Sequence, residues 1–166
     1  MINQINPKIW QLYFKEFGSC VYLLNLDKII LIDTSSKAAK PELLQDLQTL
    51  KINPQNINAI ILTHNHWDHN ENLSLFTNSK VYSAKNLSEL IKNFPNFKII
   101  QTPGHTKDSI CILYKNILFS GDTIFDKQHN YIGRTDLPES NPKVMQKSLA
   151  KLKQIKYNIL CAGHLV

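Results

Sequence analysis

The sequence predicts a layered α/β domain in which sheets are faced by helices. Three observations carry that reading. Short apolar runs of strand length recur from one end of the chain to the other, and only two stretches have the spacing of long helices. The hydrophobic share is 43%, enough for a buried core and close to the globular average. A chain of 166 residues is one domain's worth, so residues 1–166 are read as a single domain.

The elements follow in order. Residues 9–14, 20–24 and 28–32 read as strands, the last two joined by a turn at 25–27. Residues 36–50 have helical spacing, with Leu43, Leu44, Leu47 and Leu50 on one side and Pro41 near the first turn, where proline is tolerated. The run 59–62 has the form of a buried strand. A brief helix is expected at 71–76, a strand at 80–83 and a short helix at 86–92, stopped before Pro95. Strands follow at 97–101, 109–114 and 117–120, with Lys115-Asn116 as the hairpin turn. A polar loop over 126–142 leads to a second long helix at 143–156, with Val144, Leu149, Leu152 and Ile155 facing the core, and a final strand at 157–162.

Composition narrows the class. No apolar run approaches the roughly 18 residues of a membrane span, and the start MINQINPKIW lacks the basic-then-apolar form of a secretory signal. Cys20, Cys111 and Cys161 form no CxxC pair and sit in apolar runs, so buried free thiols in a reducing cytoplasm are expected. The formal charge of +6 comes from scattered lysines. It weakly favours an anionic partner, with compositional drift as the plainer account.

Three of the six histidines fall in one window, Thr63-His64-Asn65-His66-Trp67-Asp68-His69, an HxHxDH pattern. In extended chain, residues two apart point the same way, so His64 and His66 can meet one metal. A turn starting near Asp68 swings Asp68 and His69 towards a second position. Imidazole with a few carboxylates suits zinc, with iron or manganese as alternatives. Three further candidates each end an apolar run and each follow a glycine: His105, Asp122 and His164. Glycine there permits a sharp turn or a close backbone approach, and strand ends are where sites gather in layered folds.

With HNHWDH at 64–69, PGHT at 103–106, SGD at 120–122 and AGH at 162–164, the chain resembles the metallo-β-lactamase-fold hydrolases over nearly its whole length. Gly133-Arg134-Thr135-Asp136-Leu137-Pro138 is similar to the small glyoxalase II-like branch. The resemblance implies an αββα sandwich, two mixed β-sheets flanked by helices, with a dinuclear site at the sheet edge. It implies two divalent metal ions, one on His64, His66 and His105, the other on Asp68, His69 and His164, with Asp122 bridging. It places Asp33 beneath the metals.

A pair of close metals lowers the pKa of bound water into the neutral range, so a bridging hydroxide is the expected nucleophile. Asp68 is the expected catalytic carboxylate, orienting that nucleophile. A bridging aspartate resembles the thioesterase, lactonase and RNase branches, whereas true β-lactamases of the superfamily typically lack it. The expectation is therefore hydrolysis of a small-molecule acyl thioester or ester. The alternatives are an RNase Z-like phosphodiesterase acting on nucleic acid, and lactone or β-lactam hydrolysis. Pro138 is followed by Glu139-Ser140 where the branch shows two glycines. No counterpart of glyoxalase II's C-terminal helical domain is expected within residues 1–166, which leaves the thiol carrier open. Arg134, the only arginine, either pins its loop or meets a substrate carboxylate; Trp67 either packs on the adjacent loop or forms a substrate wall. His129 is expected to be a solvent-exposed loop residue. Monomer and homodimer are alternatives, the second if a sheet edge is left for a partner chain to cover.

Overall fold

The computed structural model describes residues 1–165. Two compact units are distinguished, Met1–Leu62 with His66–Tyr82, and Thr63–Asn65 with the chain from Ser83 onward.

The first unit is built on a six-stranded mixed sheet: β1 (Ile2–Asn6), β2 (Ile9–Leu12), β3 (Val21–Asn25), β4 (Ile29–Ile32), β5 (Ala59–Ile61) and β6 (Lys80–Tyr82), in sequence order. The first four strands are antiparallel, and β5 and β6 add in parallel. Parallel pairing needs crossovers, and α1 (Lys40–Thr49) lies in the one between β4 and β5. Its Leu43 and Leu47 are buried with Leu12, Val21, Leu23, Leu31 and Ile60. Alternation sends Tyr22, Leu24, Ile30, Ile32 and Ile61 to the opposite face, where they are buried as well.

The second unit carries a four-stranded mixed sheet of order β10-β9-β8-β7, formed by β7 (Phe97–Gln101), β8 (Ile110–Tyr114), β9 (Ile117–Gly121) and β10 (Ile159–Ala162). β8 is antiparallel to both neighbours, and β10 runs parallel to β9 after the crossover helix α4 (Pro142–Leu152). Met145, Leu149 and Leu152 of α4 pack with Ile100, Cys111 and Leu118. Ile110, Ile112, Ile117 and Phe119 fill the other face and are buried too. Each unit thus has a mixed sheet with a helix on one face and a second buried face, the sheet-and-helix content of the αββα fold class. Two shorter helices complete the set, α2 (Trp67–Asn70) and α3 (Leu87–Asn93).

Four differences from the sequence reading have a clear physical cause. β1 was absent from it, because this edge strand pairs only with β2 and keeps Asn3 and Gln4 exposed, so it carries little apolar signal. α1 starts at Lys40 rather than 36. Ser36 Oγ is bonded to the Phe17 carbonyl and accepts from the Ala39 amide, and Ser35 has a left-handed φ of 62°, so the chain stays irregular through 36 and turns over 37–39 before the helix begins. Of the helix expected at 71–76 only a 3₁₀ turn, Leu73–Leu75, forms. α4 ends at Leu152 rather than 156; Ile155 still packs on the core, but from a turn closed by its amide on the Leu152 carbonyl.

All three cysteines are free and buried, and desolvation pushes the Cys111 thiol up to about 11. Among the described residues no helix is long and apolar enough to cross a membrane. Leu47→Ala, which empties a fully buried position under α1, is expected to cost about 2–5 kcal/mol by urea unfolding; a loss within the error of the fit would show that α1 is not part of the cooperative core. Native protein is also expected to leave Cys111 unmodified by a thiol reagent at pH 8, where its thiolate is scarce.

Candidate metal centre

Strand direction sets the arrangement. In the first unit β4, β5 and β6 point the same way, and in the second β7, β9 and β10 do. Every candidate side chain follows the carboxyl end of one of these strands. Asp33 follows β4, the 64–69 motif follows β5, His105 follows β7, Asp122 follows β9 and His164 follows β10.

In the second unit, Asp122 Oδ2 lies 3.5 Å from Nε2 of His105 and 3.5 Å from Nε2 of His164. The parallel register that ends on Ala162 opposite Gly121, closed by the Gly163 amide on the Gly121 carbonyl at 2.8 Å, sets His164 beside Asp122. Gly121 has φ 50°, and a Cβ there would stand 2.6 Å from Thr63 Oγ1, so glycine is needed for the chain to turn against residue 63. The Ile110 amide holds the Thr63 carbonyl at 2.8 Å, and the His64 ring meets that of His105 edge-on at 4.9 Å.

In the first unit, α2 starts after extended His66 and turns Asp68 and His69 inward, both buried. His69 Nδ1 is 2.8 Å from Asp33 Oδ2. Asp33 has a left-handed φ of 60°, and its amide bonds the Ile61 carbonyl. Asn72 secures the turn that follows by donating its amide to the carbonyls of Thr34, at 2.8 Å, and Ser36, at 2.6 Å.

Three groups of side chains have the donor types to hold a metal ion: His64, His66 and His105; Asp68, His69 and His164; and His64, His69 and Asp122. Asp122 is thus grouped with one histidine from each of the other two sets. The donor chemistry fits divalent cations. Carboxylates this buried are costly without a counter-charge, and imidazole with carboxylate is a zinc-type donor set. The outer nitrogen of three rings is engaged by protein: His64 Nδ1 with Thr63 Oγ1 at 3.0 Å, His69 Nδ1 with Asp33, and His105 Nδ1 with the Arg134 carbonyl at 2.8 Å. Such contacts fix the ring and turn Nε2 towards a metal.

The remaining candidates fall differently. The Arg134 guanidinium is exposed and paired with Asp136 at 2.9 Å, while its carbonyl takes the His105 ring. Trp67 is exposed and its ring lies 5.7 Å from that of exposed Phe17. His129 is half-buried rather than solvent-exposed, its Nε2 3.2 Å from the Tyr157 hydroxyl. Sequence reasoning missed Thr63, Gly133 and Ser140. A Cβ on Gly133 would stand 1.8 Å from the Asp122 carbonyl oxygen, and Ser140 Oγ donates to the His105 carbonyl at 2.6 Å. The 133–138 motif flagged this loop, but nothing in it showed that the loop braces two ligands at once.

The metallo-beta-lactamase superfamily model matches residues 14–97 and 89–164. The chain belongs to that superfamily. The probable metallo-hydrolase MJ0296 of Methanocaldococcus jannaschii is 33% identical over 145 residues, covering 81% of this chain and 70% of that protein. Hydroxyacylglutathione hydrolase of Francisella tularensis subsp. novicida is 28% identical over 125 residues, which are 64% of this chain and 48% of the relative. The crystal structure of the metallo-beta-lactamase family protein TTHA1429 from Thermus thermophilus superposes with a TM-score of 0.80 at 18% identity, over 98% of this chain and 75% of that one. Its fold is shared. Within this superfamily, two His/Asp clusters placed to bind metal ions are the arrangement of a dinuclear metal-dependent hydrolase.

Two substitutions test the bracing contacts. Asp33→Ala is expected to weaken metal affinity about 10–100-fold in competition with a chromogenic chelator; unchanged affinity would remove Asp33 from the centre. Gly133→Ala is expected to fold, by circular dichroism, yet retain less metal on elemental analysis, because Asp122 and His105 must both move.

Proposed function

We propose that the protein hydrolyses small-molecule acyl thioesters of the hydroxyacyl-thiol, glyoxalase II-like kind in the cytoplasm. The supporting observation is the carboxylate of Asp122, which lies 3.5 Å from both His105 and His164, as suits the shared ligand of this reading. True β-lactamases of the superfamily typically lack that carboxylate. The likeness to a hydroxyacylglutathione hydrolase supports the same branch.

His64, His66 and His105 would hold one ion, zinc in this reading, and Asp68, His69 and His164 the other, with Asp122 available to either. Bound there, the ions would supply a lowered water pKa and Lewis acidity towards a carbonyl. The chain's own groups do the positioning. Asp68 accepts a hydrogen bond from the attacking water and keeps it aimed. The outer-nitrogen contacts of His64, His69 and His105 hold the donors where they are, so little reorganisation is needed as charge develops. A thiolate leaves readily, since thiols ionise near pH 8.5, so the reaction needs no dedicated acid. The Arg134–Asp136 pair on the loop after β9 restrains that loop, with Arg134 holding His105 through its carbonyl.

The net charge of +6 favours one other reading, phosphodiester cleavage of RNA by the same ligands. Metal-loaded protein assayed on a panel of hydroxyacyl thioesters, a bis-aryl phosphodiester and a structured RNA separates the two. Thioester turnover is expected, abolished by chelation and restored by metal. Asp68→Asn is expected to lower kcat by about 100-fold or more. Turnover confined to RNA would overturn the proposal.

A further inference from the structure

Positive charge is not spread evenly along the chain. From Ser140 onward there are five lysines, Lys143, Lys147, Lys151, Lys153 and Lys156, and no acidic residue, against a net charge of +6 for the whole protein. All five lie on α4 or the turn after it, and all are exposed.

Two adjoining concavities in the second unit meet at this segment. One, of about 450 Å³, is lined by Lys127, His129, Lys153, Lys156 and Tyr157 over an apolar floor that includes Leu152. The other, of about 410 Å³, is lined by His129, Gln146, Leu149 and Lys153. His129 and Lys153 belong to both, so they form one groove. No acidic residue lines either part.

His129 is an unusual wall for such a groove. It takes a left-handed φ of 62°, a conformation that non-glycine residues adopt only when held. Its amide bonds the Asp126 carbonyl, and its Nε2 meets the Tyr157 hydroxyl. Its Nδ1 is buried without a hydrogen-bond partner in the protein. Burial first, then the neighbouring Lys153, hold its pKa below the usual range, with Asp126 opposing weakly. The ring is thus biased towards its neutral form, in a groove that Lys127, Lys153 and Lys156 also line. An anion entering the groove reverses the electrostatic balance and gives Nδ1 a reason to take a proton.

We propose that this groove binds a small polyanion carrying phosphate groups, the chemical class of pyrophosphate or a nucleotide, through Lys127, Lys153 and Lys156, with His129 and Tyr157 as hydrogen-bonding partners. Three ammonium groups around a cavity of this size match more than one phosphate charge. A concave, bounded site with a single half-buried tyrosine lacks the row of aromatics that tracks a single-stranded nucleic acid. The site is separate from the hydrolytic ligands and does not depend on which reaction they perform.

Metal-loaded protein titrated with inorganic pyrophosphate, read at the His129 ring protons by NMR, tests the assignment. A saturable shift is expected, with the His129 pKa raised in the bound state. The K153Q/K156Q double variant is expected to bind at least about tenfold more weakly while keeping its metal content and its hydrolytic turnover. Pyrophosphate on the metal ions alone would leave His129 unmoved and the variant's affinity unchanged, and either result overturns the proposal. So does a His129 that stays silent to about 10 mM pyrophosphate yet shifts with a structured RNA, which would make the surface a nucleic-acid contact.

Discussion

The ligand cluster depends on what holds the far side of three of its imidazoles, those of His64, His69 and His105. A histidine ring on a loop turns about two torsions and has two tautomers, and either freedom spoils a metal site. Here Thr63, Asp33 and the Arg134 carbonyl each take an Nδ1, which fixes the ring plane and turns Nε2 inward. Each holder is itself held. Thr63 is tied by its carbonyl to the Ile110 amide, Asp33 by its amide to Ile61, and the Arg134 carbonyl also accepts from Ser140. The rigidity of the sheets is passed outward through these contacts to side chains on irregular backbone.

This positioning has a conformational cost. Asp33 and Ser35 both lie in the left-handed region, each worth on the order of 1–3 kcal/mol against the fold. The Asn72 side chain, bonded to the carbonyls on either side of the bend, and the Lys37 amide on Glu71 at 2.7 Å hold the turn in place. The strained segment delivers Asp33 to His69, so the strain coincides with the contact that orients a candidate ligand. Local propensity loses here to tertiary hydrogen bonding, which also explains why α1 begins four residues later than its apolar spacing suggested.

Much of the centre was legible in the sequence because it is written in short stretches. HNHWDH carries four donors at a spacing only metal chemistry makes sense of, and the glycines before His105, Asp122 and His164 marked strand ends. The pieces that were not legible are those whose role depends on a distant partner. Thr63 is one residue from the motif, yet nothing local says that its hydroxyl meets the neighbouring ring. Ser140 stands at a departure from the family pattern, and its bond to the His105 carbonyl crosses 35 residues. β1 was invisible for a different reason: an edge strand buries too little to alternate strongly. His129 looked like a surface residue because its partner, Tyr157, is 28 positions away.

The parallel pairing of β10 with β9 bears on how the protein is made. Synthesis runs from the amino end, so the 64–69 donors leave the ribosome almost a hundred residues before His164. Until β10 docks beside β9, Asp122 has only His105 at hand and the nascent chain offers an incomplete chelate. The full donor set is therefore assembled only after β10 has been synthesised and has paired with β9.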